Sequence, residues 1–255
     1  MLRIDINCDL GESFGIYKLG LDEQIYPLIT SANIACGFHA GDPQVMRASV
    51  SMAVQHHVAI GAHPGTPDLI GFGRRRMELS AQELENALIY QMGALQAFAK
   101  VYGSRLSHVK PHGWLYNAAA EDLGLALIVV RAVRAVSPEL VLFGLSGSQL
   151  IEAAKQAGLP YAEEAFIDRT YQSDGTLISR KSDQALITDP ERASQQALDL
   201  VLRGRMQALN GSEVKIHADT LCVHGDNPNA VALLTQVRNK LREVGVEILP
   251  LGAKS

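Results

Sequence analysis

The chain has 255 residues, of which 47% are hydrophobic, 20% charged and 5% aromatic, a globular composition that excludes disordered and fibrous classes. Its 23 basic and 27 acidic residues give a formal net charge of −4, the reverse of the basic excess of a general nucleic-acid binder. No apolar run reaches the roughly 18 residues needed to span a membrane, and the opening "MLRIDINCDLGES" meets acidic residues at once, with no signal-peptide core.

Cys8, Cys36 and Cys222 are odd in number and lack C-x-x-C spacing, the pattern of reduced thiols in a cytoplasmic protein.

In chain order, "LRIDINC" (2–8) predicts a first strand, "LDEQIYPLI" (21–29) a short helix and "ANIAC" (32–36) a second strand. Asp42 and Pro43 are a favoured N-cap and first-turn pair for a helix running to about His56. "VAIGA" (58–62) is a third strand, followed by the Gly/Pro-rich loop "HPGTPDLIGFGRRR". Ser80 and Glu83 form a capping box for a helix to about Val101, in which Leu84, Leu88, Met92, Leu95 and Phe98 recur at helical spacing.

"LSHVK" (106–110) is a fourth strand, 121–136 a mostly apolar helix, "LVLFGLS" (140–146) a fifth strand and "SQLIEAAKQAG" a helix ended by Gly158. "YAEEAFID" (161–168) is a sixth strand. An excursion follows, with a hairpin around Asp174-Gly175. A helix over 189–204, a seventh strand "DTLCVHG" (219–225) and a last helix with Val231, Leu234, Val237, Leu241 and Val244 on one face lead to "VEILPL". Seven alternations of short, mostly apolar strands with helices imply a parallel sheet covered by helices. The expected fold is an α/β, seven-stranded (β/α) barrel made by one domain over 1–255. The rival, an open doubly wound sheet, lacks the G-x-G-x-x-G after its first strand.

Barrels carry their functional groups just past the strands, at one face. Those positions hold Asn7 and Asp9, His39, His63, Lys110 and His112, Ser146, Asp168 and Arg169, and His224 and Asp226, with His108 just inside the fourth strand. One histidine in such a place is commonly structural; four converging on one mouth with several acids point to function, because histidines act as general acids, bases or metal ligands near neutral pH.

Asp9 and Glu12 could bind a metal, orient a histidine or act as bases, and Lys110 could polarise a carbonyl or hold an anion. "HAGDP" and "HGDNP" each set a His and an Asp before a Pro-marked helix start, where a carboxylate or phosphate could sit; capping alone explains the echo equally well. Arg74, Arg75 and Arg76 are either a solvated charge run or an anion-holding lid. His56 and His57, at a helix end, are surface residues. Because His39 and His63 lie past strand ends, replacing either with Ala is expected to cost no more than a surface change, roughly 0.5 kcal/mol.

The blocks "NCDLGESFG", "SANIACGFHAGDP", "IGAHPGTPDLIGFGRR", "HVKPHGWLYN", "DRTY" and "LCVHGDNPNAV" resemble the signature blocks of the LamB/YcsF family, in order from about residue 4 to about residue 245. The chain departs from them at Ser13, Thr66 and Trp114, which flank the motif polar residues. The resemblance implies a seven-stranded β/α barrel related to glycoside hydrolase and deacetylase folds. It also implies the A subunit of ATP-dependent 5-oxoprolinase, which opens the lactam of 5-oxoproline to L-glutamate with B and C subunits, with ATP (and Mg2+) as co-substrate.

On that reading Asp9, His39, His63, Lys110 and His112 are the candidate catalytic groups. Asn7, Glu12, Asp42, Arg74, Arg169, His224 and Asp226 are the candidate substrate-binding groups, and a metal is left open. The lactam oxygen would be phosphorylated and water would attack the activated carbon. No G-x-x-x-x-G-K-[ST] is present, so phosphate handling is expected from partner subunits. A stand-alone metal-dependent deacetylase or amidohydrolase using Asp9, His39 and His63, and a non-catalytic subunit that only binds or delivers 5-oxoproline, are the alternatives.

Overall fold

The computed structural model describes residues 2–180 and 182–251. Polar and apolar residues alternate along β1 (Arg3–Leu10), so Ile4, Ile6, Cys8 and Leu10 share one face while Asp5, Asn7 and Asp9 share the other. β2 (Ser31–Ala35) alternates in the same way, turning Ser31 and Asn33 inward, and β3 (Ala59–His63), β4 (Leu106–Val109), β5 (Val141–Leu145) and β6 (Tyr161–Phe166) follow, of which β5 carries no polar side chain. After the short antiparallel hairpin of β7 (Arg205–Gln207) and β8 (Glu213–Lys215), β9 (Thr220–His224) returns to the sheet and β10 (Glu247–Ile248) adds a rung beside Arg3 and Ile4 of β1.

Strands β1 to β6 pair in sequence order, all parallel, and β9 closes the ring between β6 and β1. This is the expected seven-stranded β/α barrel.

The apolar face of each strand looks outward. Ile34, Ile60, Val109 and Val223 pack there with residues of α2 (Pro43–Gln55), α3 (Ala81–Val101) and α5 (Leu123–Val136), including Val50, Leu88, Met92 and Val130. α6 (Gln149–Ala157), α7 (Pro190–Arg203) and α8 (Ala230–Glu243) complete the cover, and α1 (Asp22–Ile25) with a 3-10 turn follows β1. The local signals hold: Asp42 accepts from the amides of Gln44 and Val45, the Ser80–Glu83 box is closed, and Gly158 ends α6 at φ 63°. The hairpin around Asp174-Gly175 pairs Tyr171 with Leu177.

Three features differ from the sequence reading, the first being the β7–β8 hairpin, which it does not contain. α4 (Gly113–Glu121) is a separate helix ahead of α5, the two divided at Asp122, which caps α5 through the Leu125 amide. The inward faces of β1, β2, β4, β6 and β9 carry polar residues, because the barrel interior is largely polar, while β5 is apolar on both faces and lends Phe143 to the interior.

That interior is a closed hydrogen-bond network. Asp5 accepts from the hydroxyls of Thr30, Ser31 and Thr220. The Asn7 amide donates to Glu164 (2.9 Å) and Thr220 (2.8 Å), and its carbonyl accepts from Asn33 at 2.7 Å. His108 Nε2 donates to Asn33 at 2.9 Å, and its ring stacks on Phe143 at 4.2 Å. Gly61 makes room for that ring: a Cβ there would lie 1.9 Å from His108 Nε2. Burial, with Lys110 nearby, pushes the His108 imidazole down to about 3, so it is neutral at physiological pH.

Candidate active site

Because every barrel strand runs the same way, the residues at their C-terminal ends gather at one mouth, above a cavity of about 640 Å³. Asp9, Glu12, His63, Lys110, His112, Arg74, Arg169, His224 and Asp226 all line it. His39 sits behind the wall with its ring flat against His112, the centroids 3.6 Å apart and the planes 4° from parallel. The five candidate catalytic residues are therefore brought together.

Lys110, just past β4, is fully engaged: its ammonium meets Glu164 at 2.8 Å, Cys222 at 3.0 Å, Asp9 at 3.1 Å and Asn7 at 3.4 Å, with Phe166 beneath it. Burial alone would lower its pKa, but the anionic partners outweigh burial and keep it protonated. Lys110 thus joins the barrel interior to the mouth and fixes Asp9, whose Oδ1 also accepts from Asn33. Burial pushes the Asp9 carboxyl up, but His63 and Lys110 outweigh it and hold it well below the usual carboxylate range. Its second oxygen faces His63 Nε2 at 3.4 Å.

Two backbone carbonyls orient the histidines. His63 Nδ1 donates to the Lys110 carbonyl at 2.7 Å, and His112 Nε2 donates to the Phe72 carbonyl at 2.8 Å. Their remaining nitrogens, His63 Nε2 and His112 Nδ1, face each other at 2.9 Å. Glu12 Oε1 lies 3.4 Å from His39 Nε2 and 3.5 Å from His112 Nδ1. Burial, reinforced by Asp9 and Asp226, raises the Glu12 carboxyl well above its ordinary value. Burial and the neighbouring histidines push His39 and His112 well below theirs.

Across the mouth, His224 stacks on Phe166 and donates through Nδ1 to the fully buried Asp168 at 3.0 Å. This fixes its tautomer and leaves Nε2 as the free nitrogen. Burial opposes ionisation of Asp168, but His224 outweighs it and keeps the carboxyl below its ordinary value. Asp226 bridges Arg74 (2.8 Å) and Arg180 (3.5 Å) at the rim.

Several expectations are corrected. Asn7 is fully buried in the interior network below the mouth and does not line the cavity. Asp42 caps α2, and its second oxygen accepts from the Gly15 amide, so its carboxylate already fills that helix N-terminus. The echo with "HGDNP" fails in detail, since α8 starts at Ala230 and Asp226 pairs with arginines. Arg169 is buried and donates to the carbonyls of Ile178 and Ala185, anchoring the excursion. Arg75 binds Asp68 within its own loop. His39 and His63 are 0% and 1% exposed, so they are not surface-like positions.

Sequence reasoning missed Glu164, Asn33 and Arg180. For Asn33 the signal was a polar residue recurring two positions from Ser31 inside a strand, and for Glu164 it was a carboxylate in the middle of an otherwise mostly apolar strand.

A parallel seven-stranded β/α barrel whose mouth gathers three histidines, two carboxylates and an Asp–His pair carries the groups of an acid–base site at the C-terminal ends of its strands. The LamB/YcsF family matches residues 4–255, and the chain belongs to that family. It is 56% identical over 248 residues to the A subunit of 5-oxoprolinase from Tolumonas auensis, covering 97% of this chain and 99% of that one. It is 54% identical over 247 residues to the protein of the same name from Heliobacterium modesticaldum, covering 97% of each. Among solved structures, a lactam utilization protein from Thermus thermophilus superposes with a TM-score of 0.93 at 47% identity, covering 97% of this chain and 99% of that one.

Proposed function

We propose that this chain is the A subunit of an ATP-dependent, cytoplasmic 5-oxoprolinase, opening the lactam of 5-oxoproline to L-glutamate with B and C subunits. The observation that carries the reading is the convergence of Asp9, Glu12, His63, His112 and the Asp168–His224 pair on one cavity in a chain more than half identical to proteins of that name. A cavity of about 640 Å³ exceeds what this small substrate needs, leaving room for an activating phosphate or a partner's loop.

An amide is stabilised by resonance, so ring opening needs activation. In the proposed sequence the lactam oxygen takes the γ-phosphoryl group of ATP, with Mg2+, on machinery completed by the partners. Water then adds to the activated carbon as His224 Nε2 takes its proton, with Asp168 stabilising the imidazolium. The ring C–N bond breaks as the nitrogen receives that proton, and a second water releases phosphate from the acyl phosphate, giving glutamate. Arg74 and Arg180, tethered by Asp226, supply positive charge at the rim for the substrate carboxylate.

Ile16 (90% exposed) and Ile70 (94% exposed) stand on the loops after β1 and β3, which open on the same end of the barrel. They are the proposed contacts for the partner subunits.

Glutamate release from 5-oxoproline, ATP and magnesium tests this. The chain alone should be inactive and the three-subunit mixture active. In that mixture His224→Ala or Asp168→Asn should lower kcat by about 10²–10⁴-fold. Turnover by the chain alone without ATP would replace this reading with a self-sufficient amidohydrolase.

A further inference from the structure

We infer, resting on the 5-oxoprolinase reading above, that Arg74, Asp226 and Arg180 together read a single carboxylate on the substrate. The mouth then takes lactams that carry one negative charge beside the ring nitrogen and rejects neutral ones, and Asp226 is the residue that sets the charge count.

Four cationic side chains line the cavity among the described residues: Lys110, Arg169, Arg74 and Arg180. Two of them are committed. Lys110 spends its ammonium on Glu164, Asp9, Cys222 and Asn7, and Arg169 donates to the carbonyls of Ile178 and Ala185. Arg74 and Arg180 meet one acceptor between them, Oδ2 of Asp226, at 2.8 Å and 3.5 Å. A guanidinium is a planar fork of several donors, so most N–H groups of this pair remain unspent. With side chains 41% and 28% exposed, both can be reached by a ligand in the mouth.

Two guanidinium ions and one carboxylate leave one positive charge. Asp226, on the loop after β9, holds together two like charges brought by the loops after β3 and β6, and it lowers their sum from two to one. The Phe72 ring supports the Arg74 guanidinium from 4.8 Å. A monocarboxylate completes the balance through charge-assisted hydrogen bonds. A neutral lactam leaves the forks unpaired, and a dianion overshoots the charge.

The position suits the reaction. Asp226 stands two residues after His224, and both line the cavity. The charge of Arg180 is felt by Asp168, the partner of His224, and that of Arg74 by Glu12 and His112. The pair thus lies between the two polar walls of the mouth. In 5-oxoproline only the ring nitrogen separates the carboxylate-bearing carbon from the carbonyl carbon. A carboxylate gripped by the pair therefore keeps the reacting carbon in the mouth, on the side of His224.

Calorimetry on the full chain tests this, with 5-oxoproline and its uncharged primary amide as the two probes. The acid should bind about 10–100-fold more tightly than the amide. Arg74→Gln and Arg180→Gln, each first shown to melt with the parent, should each weaken the acid by about tenfold or more and leave the amide unchanged. Arg76→Gln, exposed and outside the cavity, should bind as the parent does. Asp226→Asn raises the charge of the pair to two, so sulfate, compared with chloride at equal ionic strength, should compete with 5-oxoproline about tenfold better than it does in the parent. Equal binding of acid and amide, no binding of 5-oxoproline, or a parental preference in the Arg74→Gln/Arg180→Gln double variant would overturn the inference. So would sulfate competing equally with the parent and Asp226→Asn. Glutamate release by the three-subunit mixture judges the reading separately. Charge-dependent binding without turnover would sink the 5-oxoprolinase reading and leave the carboxylate reader, whereas turnover with equal binding of acid and amide would do the reverse.

Discussion

The barrel interior and the mouth directly above it hold similar side chains in opposite conditions. Below, Asp5, Asn7, Asn33, His108 and Glu164 are buried, yet each finds partners, and the network runs from strand to strand around the ring. Above, His39 is equally buried with both nitrogens orphaned, its ring stacked on His112. Satisfied polar groups in a low-dielectric interior rigidify a fold, whereas unsatisfied ones cost stability and persist where a ligand completes them. Hydrogen-bond satisfaction thus separates scaffold from site in a barrel where residue type alone does not.

If that contrast is right, the largest losses of stability come from the lower layer. Lys110→Met removes the cation between Asp9 and Glu164 and leaves buried carboxylates uncompensated. A loss of about 3–5 kcal/mol is expected in urea denaturation. Gly61→Ala drives a methyl group into His108, which Asn33 and Phe143 hold in place. About 3 kcal/mol should be lost, with no compensating gain; a Gly61→Ala chain melting with the parent would show that the interior yields more easily than the network implies.

A third effect is pH-dependent. The His108 imidazole is pushed down to about 3 in the fold, against about 6.5 in an unfolded chain. Between those values the unfolded state binds more protons, so this contribution is complete above about pH 6.5 and is lost as pH falls towards 3, at up to about 1.4 kcal/mol per unit. Asp5, raised to about 6 by burial against its three hydroxyl donors, works oppositely from about pH 4 to 6 and offsets part of that slope. Comparing urea midpoints of the parent and His108→Gln at pH 7 and pH 4.5 isolates the histidine. The parent's advantage should shrink by about 1–3 kcal/mol on acidification.

At the small end, Ile70→Glu should leave the chain's own stability within about 0.5 kcal/mol while weakening its capture of partner subunits in a pull-down.

Much of the scaffold was legible because its signals are local. Asp42–Pro43, Ser80–Glu83 and Gly158 mark helix ends by hydrogen bonds made within a few residues. α4 escaped notice because His112 gives it no side-chain cap and Gly113, at φ 57°, reads as a turn. The β7–β8 hairpin carried a usable signal at Asn210-Gly211, a favoured hairpin pair, but its strands are only three residues long. At the mouth, the strand-end rule gathered Asp9, His39, His63 and His112 correctly in space. It could not say that Lys110 is saturated, that Asn7 lies a layer deeper, or that Arg169 anchors a loop. Those facts depend on which strand neighbours which around the closed ring, and that is a property of the fold, not of any window of sequence.

His39→Leu tests the central contrast most directly, with melting temperature and glutamate release in the three-subunit mixture read on the same preparation. Leucine fills a comparable volume without stranding two nitrogens, so the melting temperature should hold or rise while turnover is lost. A variant that melts well below the parent yet, in its folded fraction, turns over normally would contradict the account and make His39 part of the scaffold.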